Sequence, residues 1–553
     1  MLRHALLAST AAAALAAGPA AAITAAPVQN GCAAPDASMP TVIVCAANDA
    51  DGFAGEPFEN GDDLDVTVEQ GVTVSSETDA VDVDDDATIL NEGVIQSTGN
   101  FVDDGEGEDD TSDAAIDADD DLSLTNRNLI DGAERGVEAD KDAEIVNTGE
   151  IKAGSGDAIN LGEGGRVENG TESDFANARI QSGGDEGVQG EDGLTVVNRG
   201  VIDADDKAID TEGFDDLTVE NSGTILSGDK GVRAGDDDGE GGSGLTLTNS
   251  GEIAAGDEAV ETGDDATITN SGTIRTTRDD AVQVGANATI VNAGDILGGE
   301  TVEGDGVDID GGAITNSGTI EARVDVNADG DIEAGVDVDE GDATLSIVNS
   351  GRIAGGIGVL TDAANTGVQT VVNAGEIEGR VAQTAGAPDA AGSKLAVSLG
   401  AGDDLVELQP GGVFIGDVDF GAGADRLLLS GPAPGYLGGG ASDLPLYLGG
   451  SGVDTIVLPD EVDLSALSIA PAPVLAAASV GAAGFSASPI LTLALSLTGG
   501  DATLDFVGFE RIEVAGRLFA ADPSLAPIPL PAGAPLLLGG LAALGAAARR
   551  RRG

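Results

Sequence analysis

The chain is poor in almost everything that builds an ordinary globular core or a catalytic centre. In 553 residues it has no tryptophan, two tyrosines, two cysteines, two methionines and one histidine, His4. Aromatics make up 2 % of it. That excludes a core built round large rings and leaves few stacking platforms for sugars. A single histidine beside the amino terminus excludes imidazole catalysis in the mature chain. Basic residues number 24 against 99 acidic ones, for a net charge of −75. Such a chain repels phosphate backbones and acidic polymers, so nucleic acid is excluded as a partner and cations are attracted. Outside the carboxy-terminal tail no basic cluster is evident, and a β-helical lyase acting on uronates would want one. No Gly-rich phosphate loop opens a helix.

What the chain does have is glycine, 85 residues, and 41 % hydrophobic residues in short alternating runs. Period-two runs point to an ordered core under an acidic skin rather than to disorder. The string ITNSGTI occurs twice, at Ile268–Ile274 and Ile314–Ile320. Asn-x-Gly recurs in phase at Asn91, Asn147, Asn198, Asn221, Asn249, Asn270, Asn292, Asn316, Asn349 and Asn373. From Asn198 onward the successive copies keep a similar interval, with a few longer steps that mark insertions. Degenerate copies at Asn126 and Asn169 fill the two longest gaps, while Asn160 and Asn365 match out of phase and are set aside.

Each unit holds three apolar pieces: G-x-I (Gly272–Ile274), D-x-A/G-V (Asp279–Val282, Asp257–Val260, Asp229–Val232) and A-T-I-x-N (Ala266–Asn270). Gly, Asp and Asn separate them, as turns require. Three strands and three turns in about 22 residues make one coil of a parallel β-helix, which buries its inward side chains only by stacking on its neighbours. The expected fold is therefore all-β, a parallel β-helix of about fifteen coils, roughly 70 Å long at the interstrand spacing. Asn198, Asn221, Asn249, Asn270, Asn292, Asn316, Asn349 and Asn373 are expected to stack as an amide ladder. The glycine two positions later is expected to supply positive φ at a sharp corner.

Both ends carry export signals. Residues 1–26 read as a secretory signal helix with a basic start (Arg3, His4), an apolar run (Ala5–Gly18) and small residues near Ala22 and Ala26 for cleavage. Cys32 and Cys45 follow in a cap at 27–60, and in an oxidising compartment they are expected to form a disulfide. Repeats occupy 61–385 and further coils 386–521. The last segment, 522–553, holds a Pro-rich motif (Pro529, Leu530, Pro531, Ala532), an uncharged run expected to be helical (Ala532–Ala548) and Arg549–Arg552. Removing Arg3 and those arginines leaves the mature chain still more acidic.

IPLPAG, a Leu/Gly/Ala run and RRRR resemble the VPLPA-type, PEP-CTERM-like sorting signal of Gram-negative bacteria, with Ile528 in place of Val. The resemblance covers only the end of the chain, from Pro527 to Gly553. It implies transient insertion of the tail in the inner membrane, recognition by an exosortase-like protease, and display at or release from the cell surface. Most of the mature chain also looks like autotransporter passenger segments, yet it has no run of strands for an outer-membrane barrel.

Two motifs point to calcium. DVNADGDI offers oxygen donors at Asp325, Asn327, Asp329 and Asp331, with Gly330 for the bend and Val336 where an EF-hand-type loop needs an acid. LGAGDDLVEL, FGAGADRLLL and LGGSGVDTIVL (Leu399–Leu408, Phe420–Leu429, Leu448–Leu458) share G-x-G-x-D, and Gly449–Val457 fits a calcium-binding nonapeptide. Asp404, Asp425 and Asp454 are spaced far wider than the adjacent copies a calcium roll needs, so they are expected to mark Gly-cornered coils instead. The expected function is an exported, non-enzymatic surface or matrix protein, adhesive through an extracellular polymer or cell surface. The alternatives are a polysaccharide hydrolase using paired carboxylates and a calcium-dependent surface layer.

Overall fold

The computed structural model describes residues 28–29, 31–34, 41–54, 63–99, 114–211, 213–235, 242–327, 330–339, 341–382, 394–430, 445–458, 468–471, 491–497, 500–514 and 516–520. The expected signal helix, sorting motif and hydrophobic tail helix lie outside them. Every regular element among the described residues is a β-strand. The strands form a parallel β-helix of three long sheets. Sheet A takes the I-x-N strands, sheet B the G-x-I strands and sheet C the D-x-A/G-V strands. In sheet A every pairing from Val42–Cys45 up to Phe509–Val514 is parallel, and antiparallel partners close it at each end. Eighteen parallel strands at the usual spacing make a stack roughly 80 Å long.

Alternation drives the coil. Ile268, Ile274 and Val282 point inward from sheets A, B and C and are wholly buried. Their equivalents one coil on are Ile290, Ile296 and Val307, buried to the same degree. No single coil encloses these side chains, so each depends on the coils above and below for the ~2 kcal/mol that burying an Ile or Val contributes. Apart from Phe53 at the amino-terminal end, the described core stays aliphatic until the carboxy-terminal end. There Phe420 packs edge-on against Phe509 at 5.5 Å and Phe414 against Tyr447 at 6.4 Å between centroids.

The Tyr447 hydroxyl is enclosed in that apolar end with no hydrogen-bond partner among the described residues. Tyr447→Phe removes an unsatisfied polar atom at constant shape. It is expected to stabilise the carboxy-terminal coils by about 1 kcal/mol. A urea melt showing a loss of that size would mean the hydroxyl has a partner.

Both ends are capped. Cys32 faces Cys45 across an antiparallel pair, and the two are disulfide-bonded. At the other end Leu491–Leu497 and Gly500–Val507 form an antiparallel hairpin, whose second strand pairs in parallel with Leu446–Leu448 of sheet C. The described part of the apolar segment around 464–499 thus contributes a cap rather than another coil.

The glycines of Asn-x-Gly do not do what their sequence context predicts. Gly272 and its equivalents keep ordinary negative φ. Glycine is needed there for space: a Cβ on Gly272 would lie 2.0 Å from the Gly251 carbonyl oxygen, and one on Gly294 2.0 Å from that of Gly272. Positive φ falls instead at the corner between sheets C and A. It is carried by Asp142 (55°), Asp265 (62°) and Asn287 (60°), residue types that tolerate the left-handed region.

Candidate functional site

The asparagines form one unbroken ladder from Asn91 to Asn373, through Asn126, Asn147, Asn169, Asn198, Asn221, Asn249, Asn270, Asn292, Asn316 and Asn349. Each Nδ2 from Asn91 to Asn349 donates to the Asn Oδ1 of the next coil at 2.8–2.9 Å. Asn126 and Asn169, degenerate in sequence, are full rungs. In most rungs Oδ1 also accepts the N–H two positions on, as Gly272 N–H to Asn270 at 3.2 Å. Every one of these side chains is buried. The column continues as Val68 and Cys45 below and Leu408 above. Asn365 caps its own turn through Gly367 N–H (2.7 Å), and Asn160 stands on sheet C; both are off the ladder.

Sheet C carries the chemistry at the corner that leads into its strands. The residue two before each inward Val or Ile is charged on successive coils: Arg135, Asp157, Glu186, Lys207, Lys230, Glu258, Asp280 and Asp305. Between it and the inward residue stands Ala or Gly on each of these coils, and at Gly187 even a Cβ would lie 2.6 Å from the Ala208 carbonyl oxygen. This corner therefore lines up carboxylates whose motifs are a full coil apart in the linear chain.

Asp157, Asp185 and Glu186 each bring an oxygen within 4.8 Å of the others. Asp157 and Glu186 are almost fully buried, and Lys207 Nζ donates to Glu186 Oε1 at 3.0 Å and to Asp206 Oδ2 at 2.8 Å. Burial, then a hydrogen bond with Glu186, pushes the Asp157 carboxyl up to about 8 and that of Asp185 up to about 7. Burial also opposes charge on Glu186, but hydrogen bonds from Asp185, Asp157 and Lys207 outweigh it and hold Glu186 down at about 2. The arrangement favours charge on Glu186 and opposes it on the two acids beside it. Split carboxyl pKa values suit acid–base chemistry in principle. Here the three groups are bonded to one another, which leaves no room for a glycosidic oxygen between them.

Above them Lys207, Lys230 and Arg233 come together, contrary to the expectation that no bases cluster outside the tail. The step from Lys207 to Lys230 is one coil, which is why the cluster is invisible in the linear chain. Arg233 Nη1 lies 3.4 Å from Asp210 Oδ2 and Lys230 Nζ pairs with Glu261, all in a buried network. A second trio, Asp257, Glu258 and Asp279, follows, with Glu258 pushed up to about 7 by burial. Next come Asp280 and Asp305. Asp305 N–H donates to Asp280 Oδ1 and Ala334 N–H to Asp305 Oδ1, both at 2.5 Å. Burial, then repulsion from neighbouring acids, raises both carboxyls far above the ordinary range. Burial likewise pushes Asp308 up to about 7 and Asp337 up to about 8.

The DVNADGDI loop is tied to itself and to the rod. Asn327 Oδ1 accepts Gly330 N–H and Asp331 N–H at 2.9 Å, Val326 bridges Ile332, and Asp325 Oδ1 accepts Arg380 Nη1 at 3.1 Å. Asp329 lies outside the described residues. Asp404, Asp425 and Asp454, in contrast, are stacked on consecutive coils.

The architecture defines the class of the protein: a parallel β-helix with an internal asparagine ladder and an acidic exterior. Comparison of the chain with family models, with curated proteins and with solved structures finds no match.

Proposed function

We propose that the chain is an exported, non-enzymatic β-helical rod acting at the cell surface or in an extracellular matrix of a Gram-negative bacterium. The observation that carries this reading is the unbroken asparagine ladder running under an acidic exterior. It makes a stiff scaffold whose every coil is registered on the next, while its charge requires counterions for close association. Most basic side chains act as rivets between coils, as Arg352 does with Glu321 (2.8 Å) and Glu376 (3.1 Å), so few are left to hold an acidic substrate. The Asp157–Asp185–Glu186 trio is the best footing for a hydrolase, and its mutual bonding speaks against one. Delivery would fall to an exosortase-like protease reading Pro529–Ala532, and the contacts to divalent cations bridging acidic flanks to an extracellular polymer or cell surface.

The test is fractionation of cells making the chain with Pro529–Ala532 intact or replaced, with both mature termini determined by mass spectrometry. Loss of the Arg549–Arg552 tail from the intact protein only is the expected result. Retention of the tail in the intact protein would defeat the processing step. A calcium-dependent surface layer is the second reading, favoured by the acids Asp280, Asp305, Asp308 and Asp337, whose pKa values are raised by burial and by one another rather than lowered by a base. It requires that chelator disperse the assembled protein, and assemblies indifferent to chelator would remove it.

A further inference from the structure

The three G-x-G-x-D segments are far apart in sequence and adjacent in space. Leu405–Leu408, Arg426–Leu429 and Asp454–Leu458 are consecutive rungs of sheet A, and the turn strand Ala422–Gly423 pairs with Ser451–Gly452. The intervals that separate Asp404, Asp425 and Asp454 in the linear chain are each one coil. The three carboxylates therefore form a column with a rise of about 4.8 Å.

All three are enclosed, at 1 %, 0 % and 0 % exposure. One oxygen of each is used in the same way. Gln369 N–H donates to Asp404 Oδ1 (2.7 Å), Asp404 N–H to Asp425 Oδ1 (2.8 Å) and Asp425 N–H to Asp454 Oδ1 (3.0 Å). The other oxygen, Oδ2, has no hydrogen-bond partner in any of the three among the described residues. A buried carboxylate oxygen without a partner is costly, and here the cost recurs in register three times. A proton does not remedy it, because the new O–H would lack an acceptor.

The turns supply further oxygens at the same corner. A Cβ on Gly402 would lie 1.9 Å from the Gly367 carbonyl oxygen and 2.9 Å from Asp404 Oδ1. On Gly423 it would lie 1.8 Å from the Gly402 carbonyl oxygen and 2.9 Å from Asp425 Oδ1. Glycine is thus required where carboxylate and carbonyl oxygens converge, an all-oxygen donor set suited to a hard cation.

We propose that divalent cations of the calcium type bind along the Asp404–Asp425–Asp454 column, with the Oδ2 atoms and turn carbonyl oxygens as ligands. The proposal needs only this column and is independent of the surface role.

The experiment is calorimetric titration of the full chain with calcium chloride at pH 7 and high ionic strength. The expected result is a tight class of sites. Asp404→Asn/Asp425→Asn/Asp454→Asn should lose that class. Asp63→Asn, at an exposed corner, should keep it. Absence of a tight class in the parent protein, or a tight class surviving the triple substitution, would overturn the proposal. If the triple variant fails to fold by circular dichroism, Asp425→Asn alone decides by terbium luminescence. At least a tenfold weaker signal midpoint supports the column, and an unchanged one refutes it.

Discussion

Raising the pH from 5 to 8.5 in chelator is expected to destabilise the protein by on the order of 5 kcal/mol, a fall in Tm of roughly 5 °C for a chain of this length. The cause is the set of carboxyls that burial holds neutral. Asp117, Glu258 and Asp308 are pushed up to about 7 and Asp337 up to about 8, with burial the largest cause in each. In the unfolded chain these groups titrate near 4. Between the two values the folded state holds protons that the unfolded state has lost, so stability falls as pH rises. The contribution is fully present below the unfolded pKa and is gone once pH has passed 7–8. Half-exposed members contribute less, because water screens them. Glu186 acts in the opposite sense. Held down at about 2, it adds stability above pH ~4 that is lost only as pH falls toward 2. Maximum stability should therefore lie near pH 4–5. Scanning calorimetry at pH 5, 7 and 8.5 reads this directly, and Asp337→Asn, neutral at every pH, should flatten the slope. A Tm that climbs with pH would show that these carboxyls are ionised in the folded protein.

Asn270→Ala is expected to cost about 3–4 kcal/mol. The substitution removes the acceptor for Asn249 Nδ2 (2.8 Å) and for Gly272 N–H (3.2 Å). It also removes the donor to Asn292 Oδ1 (2.9 Å) and to the Asp295 carbonyl (3.1 Å). All of these groups sit between coils, where water does not replace the lost partners, so the penalty is that of leaving buried polar groups unmade. The last rung should behave differently. Above Asn373 stands Leu408, and the Asn373 Nδ2 donates to the Val413 carbonyl (3.0 Å) rather than to a further rung. Asn373→Leu extends the apolar end of the column by one coil and should cost about 1–2 kcal/mol. Urea melts followed by amide exchange would separate the two, with the Asn270→Ala loss centred on neighbouring coils, as expected for a one-dimensional stack. Equal losses at both positions would mean that the ladder contributes no more than local turn bonds.

The repeat is legible because its period is local. Alternation in A-T-I-x-N, G-x-I and D-x-A/G-V names the strands, and the phase of Asn-x-Gly names the coil, even through the degenerate copies at Asn126 and Asn169. What Gly272 does is not legible, because the same residue answers two different constraints. Its neighbours suggest a strained φ, yet the crowding comes from Gly251, a full coil away. The same holds for Lys207, Lys230 and Arg233, and for Asp404, Asp425 and Asp454. Each looks isolated in the linear chain, and each acquires its partner from the coil above or below.

By itself the amino-acid order determined that the strands exist, which side of each faces inward, and that asparagine recurs once per turn of the coil. Those are consequences of φ/ψ preference and of period-two burial, which act between residues close in the chain. Only the tertiary stack decided which charges meet, which carboxyls lose their charge, and which oxygens are left without a partner. Loops of unequal length lie between equivalent positions, and the register that aligns them exists only once one coil has settled on another.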